Sequence, residues 1–307
     1  MRKPNFFIIG APKCGTTSMW AWLSEHPNVY MSAVKEPQFY SSDLDMSSVP
    51  SAQKYEQLFR GANDQHIAVG EASTSYLYSQ VAVLRIEREH PGAKYIVMVR
   101  NPVEMARSLH EQWLFSGHEH IRDFETAWRL TPERRRPRRL TRRRREPRWR
   151  QRHYQSLCRL GEQLERLFAV VPRERVLVLV LDDVRQNPRR EYLRVLDFLG
   201  VPDDGRREFP VHNPAREHRW PALGTAIRGV GIVARLVKRG LGIPTYKGTG
   251  VLNAIDGFNA RYRPRAPMAA HLRRELVDYF WTDVEKLSRL MGRDFSPWLS
   301  FSADVME

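Results

Sequence analysis

The chain has 307 residues, a formal net charge of +15 and 42% apolar residues. That length and apolar share support a well-filled core and a single domain over 1–307, and the lack of any run of about 18 uncharged apolar residues excludes a membrane-spanning helix. Two cysteines, Cys14 and Cys158, exclude a disulfide framework and point to a reducing, cytoplasmic setting.

In chain order, Phe6 to Ile9 is a wholly apolar run, the pattern of a strand buried on both faces. It is needed as a first strand and is too short for a signal peptide. Gly10 and Pro12 break it, and Thr16, Thr17 and Ser18 open a helix through Leu23. Val29 to Met31 reads as a short strand, residues 41–51 as loop, Tyr55 to Phe59 as a short helix and Ile67 to Gly70 as a strand. Ser79 to His90 reads as a helix with Val83, Ile86 and Leu84 inward, ended by Pro91-Gly92. Lys94 to Val99 is the next buried strand. Asn101 and Pro102 suit the cap and first position of a helix over Val103 to Phe115.

Residues 117–150 break the pattern, with a helical turn or two at Phe124 to Leu130. Arg134 to Arg152 holds twelve arginines against one acid, Glu146, so +11 of the total charge sits in this one segment. It is expected to be a mobile, inserted surface loop. Its charge suits either a solvated flap or attraction of an anionic ligand.

Order returns at Tyr154, with Leu157, Leu160, Leu164 and Leu167 at helical spacing. Val176 to Leu181 is expected as a strand capped by Asp182-Asp183. Pro188 opens a helix stopped by Gly200, and residues 203–221 read as loop. Thr225 to Arg239 is a basic amphipathic helix, for which packing on the domain is preferred over contact with a membrane surface. Leu272 to Met291 is a last long helix closed by Gly292. Repeated strand, turn and helix predict an α/β fold with a P-loop-like central parallel sheet flanked by helices on both faces.

The first strand-to-helix turn is an anion cradle, because free N–H groups and the helix dipole converge there and Lys13 adds a full charge. Gly10-x4-Gly15 has the spacing of a nucleotide-binding P-loop, but Thr16 stands where that loop carries its lysine. The string Pro12-Lys-Cys-Gly-Thr-Thr-Ser18 resembles the 5′-phosphosulfate loop of sulfotransferases, which use 3′-phosphoadenosine 5′-phosphosulfate (PAPS). Arg100 ends the next strand and Ser108 lies two turns down the following helix, where a guanidinium and a hydroxyl can grip a second phosphate. The pair is similar to the 3′-phosphate motif of the same family.

Lys35-Glu-Pro-Gln-Phe-Tyr40 resembles the Glu-x-x-Phe-Phe element of the Golgi heparan-sulfate sulfotransferases and their bacterial relatives. Gly70-Glu-Ala-Ser-Thr-Ser-Tyr76 is similar to their Glu-Lys-Ser-x-x-Tyr segment, with Ala72 replacing the lysine. Gln163-Leu-Glu-Arg166 and Asp197-Phe-Leu-Gly200 also match the bacterial branch.

The resemblance implies sulfuryl transfer from PAPS to an acceptor hydroxyl or amine, leaving 3′,5′-ADP. No metal is expected, because a sulfuryl group carries less charge than a γ-phosphoryl and no His/Cys/Asp cluster has metal spacing. It implies Lys13, Cys14, Gly15, Thr16, Thr17, Ser18, Arg100 and Ser108 as cofactor-binding residues, with Lys13 also on the leaving oxygen. Glu36 is the first candidate for the base, Glu71 its rival, and His110 a third. Lys35, Glu71 and Gln112 are candidates for the acceptor side. The acceptor is expected to be a carbohydrate or other small metabolite, with anionic character suggested by the basic segment. A small-molecule P-loop kinase and a nucleic-acid-binding protein working through the arginine run are the alternatives.

Overall fold

The computed structural model describes residues 2–44, 46–130, 154–212, 216–218, 260–262 and 267–300. The expectations for Arg134 to Arg152 and for Thr225 to Arg239 lie outside these residues.

Five strands form one parallel sheet: β1 (Phe6–Gly10), β2 (Val29–Met31), β3 (Ala68–Ala72), β4 (Lys94–Val99) and β5 (Val176–Val180), in the order β2-β3-β1-β4-β5. β1 is fully buried at Phe6, Phe7, Ile8 and Ile9, and β4 at Tyr95 to Val99, so both sheet faces are covered. From β1 the chain moves towards one edge through α1 (Thr16–Ser24). From β3 and β4 it moves the other way, through α3 (Ala82–Glu89) and α4 (Pro102–Ser116), after the short α2 (Ala52–Glu56). Right-handed crossovers running in opposite directions put helices on opposite faces. The direction reverses between β1 and β4, and open α/β sheets bind ligands at such a point, beyond the carboxyl ends of the strands.

After α4 come α5 (Phe124–Arg129), α6 (Tyr154–Leu157) and α7 (Leu160–Phe168), then α8 (Leu181–Gln186) and α9 (Pro188–Leu199) behind β5. A two-stranded antiparallel pair, β6 (Arg216–His218) with β7 (Ala260–Tyr262), precedes the long α10 (Ala270–Met291). Among the described residues no helix is long and apolar enough to cross a membrane.

The helix ends follow local chemistry. Asn101 caps α4 by accepting from the Val103 N–H at 2.9 Å, and Asn187 caps α9 by accepting from Arg190 N–H at 3.0 Å, each followed by Pro. Gly117, Gly200 and Gly292 close α4, α9 and α10 with positive φ.

Four expectations need correction. Leu84 is 54% exposed, while Ile86 is fully buried, so α3 faces the core along a narrower stripe. β3 runs two residues past Gly70 through Glu71, a carboxylate that interrupts the apolar run yet is satisfied inside the core. Leu181 opens α8 instead of ending β5, because Asp182 and Asp183 lie in a first helical turn, where acids are favoured. β6 lies inside the stretch read as loop; its Arg-Glu-His sequence carries no strand pattern, and backbone pairing to β7 makes it one.

Candidate active site

The β1–α1 turn is braced by β4. Ala11 N–H donates to Met98 O at 2.9 Å, and Arg100 Nη1 donates to Lys13 O at 3.2 Å. Lys13 adopts φ 65° and Gly15, the residue before α1, φ 91°. A Cβ at Gly15 would lie 2.8 Å from Leu181 Cδ1 and 3.3 Å from Met98 Cε. Only hydrogen fits there at no cost, so the turn packs directly on Leu181 and Met98. The N–H groups of Gly15, Thr16 and Thr17 find no backbone acceptor among the described residues.

A cavity of about 310 Å³ opens on this turn, within the usual range for small-ligand sites, about 300–1,000 Å³. Lys13, Gly15, Thr16, Thr17 and Ser18 form one wall. Arg100 and Ser108, 6% and 3% exposed, stand at a buried end. From α4, Ser108, Glu111, Gln112 and Phe115 face the cavity, the i, i+3, i+4, i+7 stripe of one helix face. Lys13 Nζ donates to Gln112 Oε1 at 3.1 Å. Leu181, Val184, Arg185 and Pro188 close a third side, and Trp22, Phe209, Val211 and His212 a fourth. Trp22 and Phe209 meet edge to face at 5.0 Å. Ser18 Oγ accepts from His212 N–H at 3.0 Å, and His212 Nε2 is buried with no partner among the described residues.

Not every candidate faces this space. Cys14 is fully buried, its thiol 3.5 Å from Pro12 O and 3.9 Å from Met105 Sδ. Burial pushes its pKa up to about 12, so it packs as an inert thiol. His110 lies two residues beyond Ser108, about 200° around the helix. It points to Ile121 O at 2.8 Å and stacks near Phe124 and Tyr154. Burial holds its pKa below the usual histidine value, and it does not line the cavity. Glu71 is fully buried, taking hydroxyls from Tyr55 (2.8 Å), Tyr76 (2.9 Å) and Ser73 (2.8 Å). Desolvation raises its pKa to about 7 against those three bonds. Neither His110 nor Glu71 is therefore presented to a substrate.

Glu36 stands at the carboxyl end of β3, its N–H on Ala72 O at 2.9 Å and its backbone at φ 61°. Its carboxylate is one-third exposed and meets Lys35 Nζ at 2.9 Å. Thr74 donates to it twice, from N–H at 2.9 Å and from Oγ1 at 3.0 Å. Glu36 lies on the connection after β2 and Lys13 in the turn after β1, both beyond the carboxyl ends of the neighbouring strands β3 and β1, and neither Glu36 nor Lys35 is among the residues that line the cavity.

A family model for the sulfotransferase domain matches residues 3–213. The chain belongs to the sulfotransferase domain family. Mouse carbohydrate sulfotransferase 15 is 30% identical over 143 residues, covering 33% of this chain and 26% of that protein. Human bifunctional heparan sulfate N-deacetylase/N-sulfotransferase 2 is 26% identical over 218 residues, 65% of this chain and 22% of that one. The matches thus span about a quarter of these curated relatives' length. A sulfotransferase from Alicyclobacillus acidocaldarius superposes with a TM-score of 0.68 at 26% identity, over 98% of this chain and 100% of that one.

Three observations of this chain fit an elongated nucleotide with an anion at each end. They are the open N–H groups after Lys13, the buried Arg100–Ser108 pair, and the unpartnered His212 nitrogen. The sulfotransferase motifs announced the first two. Glu111, Trp22, Phe209, Val211 and His212 were missed. Glu111 and Phe115, the latter also missed, lie three and seven residues after Ser108 on α4 and could have been found from that helical spacing. The 209–212 stretch carries no periodicity, and only the tertiary fold brings it to α1.

Proposed function

We propose that this chain moves a sulfuryl group from PAPS to a hydroxyl or amine of a carbohydrate or other small acceptor. The observation that carries this reading is one cavity lined from both strand-to-helix junctions beside the switch point, by Lys13 and Gly15 to Ser18 after β1 and by Arg100 and Ser108 after β4. The family membership supports sulfuryl transfer, and the similarity to carbohydrate and heparan sulfate sulfotransferases favours a carbohydrate acceptor.

The donor supplies an activated sulfuryl group on a leaving phosphate. The N–H groups of Gly15 to Thr17 and the Lys13 ammonium would hold its 5′ end, and Arg100 with Ser108 the 3′-phosphate. Lys13 neutralises the charge that gathers on the bridging oxygen; donors fixed in advance in this way are worth about 3–4 kcal/mol each. Gln112 keeps the ammonium at the cavity wall meanwhile. Glu36 takes the acceptor's proton, a role worth about 10²–10⁴ in rate. Trp22 and Phe209 offer an apolar wall for a base.

In a thermal-shift titration 3′,5′-ADP raises the Tm more than ADP, because only it reaches both subsites. Equal shifts overturn the 3′-phosphate assignment. Lys13→Ala should lose at least 100-fold in labelled-sulfate transfer while remaining folded; turnover within a few-fold of wild type would remove Lys13 from the leaving oxygen.

A further inference from the structure

The Glu36 carboxylate is engaged from four directions. Oε1 accepts from Lys35 Nζ (2.9 Å) and the Thr74 hydroxyl (3.0 Å). Oε2 accepts from the Thr74 N–H (2.9 Å) and from Gln38 Nε2 (2.5 Å). A carboxylate offers about four lone-pair positions, so all of them are taken. For Glu36 to receive a proton, one donor must leave, and the four are unequal in freedom.

Gln38 is the least free. It is 3% exposed, and its own N–H donates to Ser73 Oγ at 3.1 Å. Its Oε1 accepts from Ser41 Oγ at 3.1 Å, and Nε2 also reaches Ser75 Oγ at 3.2 Å. Ser73 in turn donates to the buried Glu71. Turning the amide over would set its oxygen against a carboxylate, so the chemistry of the nest fixes which end faces Glu36. Glu36 and Gln38 both hold a left-handed backbone, φ 61° and 54°, at residues that carry a Cβ. Such conformations persist where surrounding contacts impose them, and they gather at functional sites. Thr74 N–H is likewise fixed by the backbone. Lys35 is the least constrained of the four, with a 21% exposed side chain on a rotatable stem.

We propose that Gln38 is the positioning residue of the base. With the Thr74 N–H it pins Oε2, which leaves Oε1 as the proton-accepting oxygen once Lys35 swings away. The proton of the acceptor O–H or N–H passes to Oε1, the acceptor atom forms its bond to sulfur, and the S–O bond to the nucleotide breaks with its electron pair on the departing phosphate. The assignment rests on Glu36 being the base.

The test is a pair of double-variant cycles between Glu36→Gln and Gln38→Met. Gln38→Met removes the donor at similar volume. It should lower kcat about 10–100-fold with KM for PAPS within about twofold. Placed on Glu36→Gln, it should cost no further kcat, since an absent base needs no aiming. The second cycle is read without nucleotide, as urea midpoints of the four proteins; direct contact predicts that the two losses do not add. Gln38→Asn, one methylene too short to reach Oε2 yet still polar, is measured alongside in case the apolar variant folds poorly. Its kcat should fall in the same way. Wild-type kcat in both Gln38 variants, with Glu36→Gln inactive, overturns the positioning role and leaves the base assignment standing. Additive losses in both cycles overturn it too. Wild-type turnover by Glu36→Gln overturns the base assignment and this inference together.

Discussion

Glu71 has both carboxylate oxygens among hydroxyls and no exposure, a costly place for a charge. Its pKa stands near 7 in the folded chain against 4.5 in the open one. Below about pH 4.5 both states hold the proton and burial costs nothing extra. Between 4.5 and 7 the unfolded chain has lost the proton while the folded chain keeps it, so stability falls as pH rises through that window. Above 7 the whole cost is in place, of order 3 kcal/mol. Glu71→Gln, which mimics the protonated acid, should match wild type in urea unfolding near pH 4.5 and exceed it at pH 8. A stability difference that is the same at both pH values would show that Glu71 carries no such cost. The residue types of the site were readable from the chain because the phosphate-binding turn is a local motif. Whether a carboxylate or an imidazole faces the cavity was not. For His110 that depends on the phase of α4, and for Glu71 on β3 running two residues further than its apolar run.

At the level of elements, the ends of α4, α9 and α10 were legible because Asn-Pro starts and Gly stops act within a turn of themselves. Contacts between elements were not legible. α7 has no side-chain cap of its own, and Asp283 on α10 supplies one from across the interface. Its carboxylate accepts from Gly161 N–H and Glu162 N–H, both at 2.9 Å. A Cβ at Gly161 would lie 2.3 Å from Asp283 O, so glycine is what lets the helices meet so closely. Desolvation raises the Asp283 pKa despite these bonds. Asp283→Ala strands two N–H groups under α10 and should cost about 2–4 kcal/mol in urea unfolding, with Asp283→Asn recovering part of it. An Asp283→Ala loss below about 0.5 kcal/mol would mean that the cap contributes little.

Across the whole molecule, the sulfotransferase match stops at residue 213, yet α10, beyond it, packs on α7 and completes one side of the layered core. Fold class follows from alternating strand and helix patterns, which is why the parallel sheet was foreseeable while its strand order and the β6–β7 pair were not. The basic segment raised a nucleic-acid reading from net charge alone, but net charge speaks to association and not to fold. The two cavity walls proposed to take the anions instead follow β1 and β4, which are hydrogen-bonded to one another. The pairing of those two strands therefore holds the two strand-to-helix turns in a fixed relation to one another. The connection that bears Glu36 leaves from β2 and belongs to neither of those strands. On the proposed reading, the base and the nucleotide grip are therefore carried by separate pieces of chain, so the connection after β2 can be altered without touching the β1–β4 pair.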